Sequence, residues 1–264
     1  MDPDGRRIAF SSARADQATG NLYWQRTDGT GEAERLGESK NPQIPNSWHP
    51  SGKFLAFQEL NPQTSWDILI LPLEGDDASG WKPGKPTVFL NRPFSEQGPF
   101  FSPDGRWLAY SSNESGRFEV YVRPFMPGGS ELRSDAGTSD SLEGARMRTI
   151  PGPGGKWQIS TAGGIWPTWS RSRRELFYLA EDGRIMVAAY IAEADSFRAE
   201  KPRVWSPGLV PFRATGRTYD LHPNGERVAV LKASGDEAEA RRDKVVLIVN
   251  FFDELRRIAP VGRR

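Results

Sequence analysis

One short pattern recurs along the chain at intervals of roughly 50 residues, and it constrains the fold more than any other feature. Each copy reads Pro, a small polar residue, Gly, two variable residues and then an apolar–Ala–apolar step. Four copies are clear and a fifth, lying fourth in the chain, has lost its Pro and Gly. In chain order the copies are Pro3–Phe10, Pro50–Phe57, Pro103–Tyr110, Arg171–Tyr178 and Pro223–Val230.

The pattern predicts a tight turn that leads into a strand. A small polar residue followed by Gly supplies the positive φ that such turns need, and the Pro ends the preceding strand. The apolar–Ala–apolar step alternates between the two faces of the strand that follows. The predicted structural turn residues are Asp4, Gly5, Ser51, Gly52, Asp104, Gly105, Asn224 and Gly225.

Each turn is followed by further strand-like segments, which gives about four strands for each module of roughly 50 residues. This spacing predicts an all-β fold, a β-propeller of about five four-stranded blades. The predicted blades cover residues 1–40, 41–92, 93–162, 163–208 and 209–258 of a single domain over 1–264, with a surface insertion at 126–150. Phe251–Ile258 predicts a short C-terminal helical turn with one apolar face. The first blade lacks its innermost strand, so either the ring closes imperfectly or more sequence lies upstream.

The repeat resembles the TolB-type, WD-repeat-like β-propeller motif, which Phe101–Tyr110 matches almost completely. From Val120 onward the chain is similar to the C-terminal propeller region of bacterial receptor-like serine/threonine kinases. The matching runs are Val120–Phe125, Pro151–Ser160, Glu175–Leu179, Tyr219–Leu221 and Val249–Leu255. This resemblance implies a sensory or protein-interaction region on the extracytoplasmic, periplasmic side, with a kinase domain upstream.

Charge and composition exclude several kinds of partner and site. The 35 Lys and Arg residues nearly balance 34 Asp and Glu, so we expect no nucleic-acid partner. Cys is absent and His occurs only at His49 and His222, so we expect neither a cofactor nor a metal. No apolar run approaches the roughly 20 residues of a membrane-spanning helix, so we expect no membrane insertion by this chain. The oligomeric state is left open.

The usual catalytic motifs are missing. There is no Gly-x-Ser-x-Gly nucleophile motif and no kinase catalytic loop or phosphate-binding loop. We therefore expect that the chain is not an enzyme but a non-catalytic binding or scaffold module. Two alternatives remain open: the propeller domain of a prolyl-oligopeptidase-type peptidase, and a free-standing TolB-like periplasmic interaction protein.

The innermost strands and their entry loops give the best candidates for a binding site. In a propeller these strands surround the central channel, and the residues near their ends line its mouth. Here they offer amides, an aromatic ring and a cation, whereas acids are few, namely Asp2, Glu96 and Asp220. The sequence thus predicts a site for a protein segment or small ligand formed by Asn46, Gln97, Trp166 and Arg217.

Overall fold

The fold is all-β. The structure, a computed structural model, describes residues 1–13, 19–76, 80–126, 155–193, 196–206, 208–211 and 216–231, and these residues form nineteen strands and no helix. A membrane-crossing helix is accordingly not found in the described part of the chain.

The strands form five antiparallel sheets that follow one another in chain order, with one sheet for each copy of the repeat. β1 (Arg7–Ser12), β2 (Asn21–Arg26) and β3 (Glu34–Arg35) form the first sheet; β4 (Gln43–Trp48), β5 (Phe54–Asn61), β6 (Ser65–Asp76), β7 (Gly80–Pro83) and β8 (Thr87–Leu90) the second; β9 (Glu96–Phe101), β10 (Trp107–Ser112), β11 (Glu119–Pro124) and β12 (Trp157–Gln158) the third; β13 (Ile165–Trp169), β14 (Glu175–Leu179), β15 (Ile185–Glu193), β16 (Ser196–Ala199) and β17 (Arg203–Ser206) the fourth; β18 (Tyr219–Leu221) and β19 (Val228–Val230) the fifth.

The repeated turns have the same backbone geometry in four modules. Gly5, Gly52, Gly105 and Gly225 have φ between 72° and 74°. Each donates its N–H to the carbonyl three residues earlier, at 2.8 to 3.1 Å. Since an L side chain is strained at this φ, glycine is the residue that allows the turn to close on this backbone bond.

The fourth module closes its turn differently. Arg173 stands where the other modules have glycine, and it is not among the described residues with positive φ. Its N–H is bonded to the side-chain Oγ of Ser170 at 3.1 Å. A side-chain acceptor thus replaces the backbone acceptor, and the strand that follows still forms.

Successive sheets pack face to face, and the alternation along each middle strand explains how. In β10, Leu108 and Tyr110 join an apolar cluster with the second sheet, whereas Trp107 and Ala109 join a cluster with the fourth sheet. Burying side chains of this size contributes roughly 1.5–3 kcal/mol each relative to exposure. Similar clusters join the first sheet to the second and the fourth to the fifth.

The predicted all-β propeller fold is confirmed by this arrangement. The blade boundaries, the single-domain assignment and the number of blades in the complete ring stay predictions. Residues 127–150 of the predicted insertion and the predicted helical turn at Phe251–Ile258 lie outside the described residues.

Candidate functional site

A cavity of about 650 Å³ lies where the innermost strands of four sheets end. We call it the mouth cavity. Its wall is built from β4, β9, β13 and β18, together with the turns beside them, and the first module adds Met1–Pro3. The lining residues include Asn46, Trp48, Phe100, Trp166, Trp169 and Arg217.

Three of the four predicted site residues line the mouth cavity, and one does not. Asn46 in β4, Trp166 in β13 and Arg217 in the segment before β18 meet there. Gln97 is not part of the lining; it is buried, and its Nε2 donates to Ser95 Oγ at 2.8 Å. The register of β9 against β10 shifts, so that Gln97 lies opposite Ser111, further along the strand from the mouth. The assignment of these residues to ligand binding stays a prediction.

Trp166 has an unusual backbone for a bulky residue. Its φ is 57°, and it lies where the register of β13 against β14 shifts. Its N–H is bonded to Ser111 Oγ at 3.1 Å, and its carbonyl accepts the hydroxyl of Tyr219 at 2.8 Å. A large side chain at positive φ persists only where the surroundings impose it, and such residues cluster at functional sites. Here the third and fifth sheets hold the backbone from both sides.

The indole of Trp166 lies against Gly98 of β9. A Cβ on Gly98 would lie 2.7 Å from the Trp166 ring, closer than real contacts allow. Gly98 itself has a φ of 60°, and its N–H is bonded to Gln58 Oε1 at 2.9 Å. The absence of a side chain at Gly98 therefore makes room for the ring, and the ring position is fixed by packing.

Further hydrogen bonds tie neighbouring innermost strands together. Ser47 Oγ in β4 donates to the carbonyl of Pro99 at 3.0 Å and accepts the N–H of Phe101 at 3.1 Å. Trp169 Nε1 in β13 donates to the carbonyl of Phe100 at 2.9 Å. Since these bonds fix side chains of the cavity wall, the wall needs little reorganisation to receive a ligand.

Arg217 places a cation in this wall. Its guanidinium lies over the ring of Phe100, 4.3 Å from the centroid, and Nη1 is 3.5 Å from Asp220 Oδ1. The Arg217 side chain is 18% exposed and the Asp220 side chain 76%. Burial lowers the pKa of Arg217, while the carboxylate of Asp220 raises it.

Of the three acids predicted on the innermost strands, Asp2 and Asp220 line the mouth cavity and Glu96 does not. Asp2 lines the mouth, but its Oδ1 accepts the N–H groups of Arg6 and Arg7 at 2.7 and 3.0 Å. Glu96 lies at the far end of β9, and it is not among the lining residues. Within the described ranges, no group of three His, Cys, Asp or Glu side chains could hold a metal.

Sequence reasoning missed Phe100 and Trp169 of the wall, and also Tyr219, which supports Trp166 but does not line the cavity. Phe100, Trp169 and Tyr219 fix the cation and the indoles, yet their role depends on contacts between sheets. Their position in the sequence could have identified them. Each lies two to four residues before the first residue of the repeat copy that follows it, as Asn46 does.

Comparison with known proteins supports the fold. No protein-family model matches the chain. An uncharacterized protein of Agrobacterium fabrum is 25% identical over 121 residues, which cover 46% of this chain and 37% of that protein. Among solved structures, TolB from Acinetobacter baumannii matches with a TM-score of 0.51 and 16% identity, over 86% of this chain and 46% of TolB.

A protein assigned as TolB from Agrobacterium tumefaciens matches with a TM-score of 0.50 and 17% identity, over 77% of this chain and 64% of that one. The chain thus spans less than two thirds of the length of these relatives. At such identities the likeness shows the fold, a TolB-like β-propeller. It does not show the serine/threonine kinase link.

The expectation that the chain is not an enzyme is wrong. The similar structures include a protein assigned as a 6-phosphogluconolactonase from Bacteroides uniformis, with a TM-score of 0.48 and 15% identity over 85% of this chain and 60% of that one. They also include the periplasmic gluconolactonase of Pseudomonas aeruginosa, with a TM-score of 0.40 and 16% identity over 87% and 67%. Missing peptidase and kinase motifs therefore do not exclude catalysis for this fold, although likeness this weak assigns no reaction to this chain.

Proposed function

We propose that this chain is a binding module that captures a protein segment or small ligand in the mouth cavity. The observation that carries the proposal is the convergence of Asn46, Trp166 and Arg217, from three different modules, on one cavity of about 650 Å³. A cavity of this size suits a small ligand or a few peptide residues, and aromatic walls with few polar groups are typical of such sites.

The polar groups of the cavity support the same proposal. The side-chain oxygen of Asn46 is buried and has no hydrogen-bond partner among the described residues. An unpaired buried acceptor is costly, and rotation of the Asn46 side chain towards the cavity would let a ligand donate to it and remove that cost. The half-buried ring of Trp48 offers apolar surface in the same wall, to which the buried residues Trp166 and Trp169 also belong.

In the full-length protein, we assign this module to the sensory or interaction region of a bacterial receptor-like serine/threonine kinase. This finer assignment rests on the resemblance of Val120–Phe125 and Val249–Leu255 to that group. Reading the gene upstream of the first codon tests it, and we expect an in-frame kinase domain. A signal peptide without a kinase would contradict it and favour a free-standing TolB-like protein, and a hydrolase domain in the same gene would favour a peptidase.

Selection of displayed peptides tests the binding function. We expect the wild-type chain to enrich peptides that compete with one another for one site. Asn46→Trp, which places a large ring at the cavity wall, is expected to weaken their binding at least tenfold. Val88→Trp is the matched control, because Val88 lies on β8, outside the cavity lining, and is largely exposed.

The outcome that contradicts the proposal is equally clear. If enriched peptides bind Asn46→Trp and the wild type equally while Asn46→Trp remains folded, the mouth cavity is not the binding site. Thermal unfolding of each variant provides the folding check.

A further inference from the structure

Arg217 is a charged group of the mouth cavity with few partners of its own. Its guanidinium stacks on Phe100 and has one ion-pair contact, at 3.5 Å to Asp220. The described residues give it no hydrogen bond, although a guanidinium carries five N–H donors. Since Asp220 is 76% exposed, most of its own interaction is with water.

The ring of Phe100 supports the guanidinium at the cavity wall, with Arg217 Cζ 4.3 Å from its centroid. A planar guanidinium presents parallel N–H donors that match the two oxygens of a carboxylate, and such bidentate pairs are shorter and stronger than neutral hydrogen bonds. The ring covers one face of the cation, so a partner has to approach along the edge that carries the donors. Removal from water disfavours the charged form of Arg217, and an anionic partner would offset this.

The acids and the arginines of the cavity wall are equal in number. Asp2 is occupied by the N–H groups of Arg6 and Arg7. Arg171 lies on the same wall and is exposed. In formal charge Asp2 and Asp220 balance Arg171 and Arg217, so the choice of an anion rests on the surroundings of Arg217 and not on the net charge of the wall.

We propose that the mouth cavity binds a ligand carrying a carboxylate on a planar apolar body, with the carboxylate paired to Arg217 and the body against the half-buried ring of Trp48. The proposal rests on the binding function proposed above and specifies the chemistry of its ligand.

Three probes of nearly equal size test this inference: benzoate, its neutral isostere benzamide, and the cation benzylammonium. Binding to the wild-type chain is followed by tryptophan fluorescence and by ligand-observed NMR. We expect benzoate to bind at least tenfold more tightly than benzamide, and benzylammonium to bind most weakly. Arg217→Gln should abolish the preference for benzoate and change the affinity for benzamide less than twofold.

Two further variants complete the design. Arg198→Gln removes an exposed arginine from β16, outside the cavity lining, and should leave all three affinities unchanged. Asn46→Asp adds a negative charge to the cavity wall and should weaken benzoate binding relative to benzamide. This second variant keeps the inference testable even if Arg217→Gln does not fold.

Each other outcome overturns the inference. Equal binding of benzoate and benzamide means that the cavity accepts planar ligands without selecting a carboxylate, in which case the proposed binding function stands. A benzoate preference that persists in Arg217→Gln removes Arg217 from the site. If none of the probes binds the wild type, the ligand chemistry is wrong, and the peptide selection with Asn46→Trp decides separately whether the cavity binds anything.

Discussion

The third and fourth modules have the same strand order but place very different residues at equivalent positions. Five residues before the start of the repeat, the third module has Gly98 and the fourth has Trp166, yet their φ values are 60° and 57°. At the turn, the third module has Gly105 at φ 74°, whereas the fourth has Arg173 bonded to a side chain. In the innermost strand, Trp166 adopts the positive φ that Gly98 has in the third module. At the turn, the fourth module replaces the backbone hydrogen bond with one to a side chain.

The difference teaches where the fold tolerates change. Gly98 and Trp166 lie at equivalent register shifts in the third and fourth sheets. The N–H of each is bonded to a side chain of the preceding sheet, Gln58 for Gly98 and Ser111 for Trp166. These two hydrogen bonds help to hold Gly98 and Trp166 at positive φ. At the turn of the fourth module, the hydroxyl of Ser170 replaces the carbonyl acceptor. The Pro and Gly of the repeat are absent there, and the strand that follows still forms.

Removing the indole of Trp166 should have the largest effect. Trp166 is 2% exposed, packs on Gly98 and belongs to the cluster between the fourth and fifth sheets. We expect Trp166→Ala to lower the free energy of unfolding by about 3–5 kcal/mol, as for other buried aromatic deletions. Alanine keeps a Cβ, so the backbone strain stays and the loss reports packing. Urea unfolding measures it, with Trp81→Ala as the control, because Trp81 is only half buried.

A smaller loss for Trp166→Ala than for Trp81→Ala would contradict this account. It would mean that the fourth module does not depend on its indole and that the positive φ of Trp166 has another cause.

Adding a methyl group to Gly98 should come next. Alanine there combines a strained φ with a Cβ that meets the Trp166 ring, and we expect a loss of roughly 2–4 kcal/mol. Gly52→Ala is the matched control: its φ is 73° and nothing lies within 4 Å of its Cβ, so it should cost only about 1 kcal/mol. In the double variant with Trp166→Ala the two losses should not add, because the clash is gone. Strictly additive losses would show that ring and glycine do not interact.

The third module also holds a buried acid where the fourth has Gly164. Glu96 is 1% exposed, its Oε2 has no partner among the described residues, and burial raises its pKa to about 7. The repulsion of Asp67 and Glu114 adds to this, while Arg92 opposes it. Because the folded state holds the proton more tightly than the unfolded chain, stability from this group is full below the ordinary pKa of 4.5 and is lost as pH rises through 7.

Glu96→Gln isolates that contribution. At pH 4.5 the variant and the wild type should have similar stability, and by pH 8 the variant should be more stable by up to about 3 kcal/mol. Urea midpoints measured between pH 4.5 and 8 provide the difference curve, from which other titrating groups cancel. A flat difference curve would show that Glu96 titrates normally and that its surroundings are more polar than the structure indicates.

These features differ in how far the sequence could foretell them. The turns and the alternation in Trp107–Tyr110 are local, so the repeat predicted both them and the all-β propeller. Asn46, Trp166 and Arg217 were found by counting back from each turn, but the same count placed Gln97 at the mouth, because a register shift in β9 is not visible in the residues themselves. The stacking of Arg217 on Phe100 and the backbone of Trp166 depend on contacts between sheets, which no single module encodes. The absence of known catalytic motifs led to a wrong expectation, since motifs describe only the chemistries already recognised.

The turn of the fourth module should give the smallest effect and the sharpest test of the comparison. Ser170→Ala removes the acceptor of the Arg173 N–H, and we expect a loss of about 1 kcal/mol, the usual net contribution of one hydrogen bond. Adding Arg173→Gly should recover most of that loss, because glycine can adopt the positive φ with which Gly105 bonds to the carbonyl of Ser102. The ion pair of Arg173 with Glu226 is exposed at both ends, so its removal should matter little. Ser11→Ala, at an exposed position, is the control for the same truncation. If Arg173→Gly deepens the loss instead of repairing it, the two turns are not alternative solutions to one backbone problem, and the fourth module closes by a contact of its own.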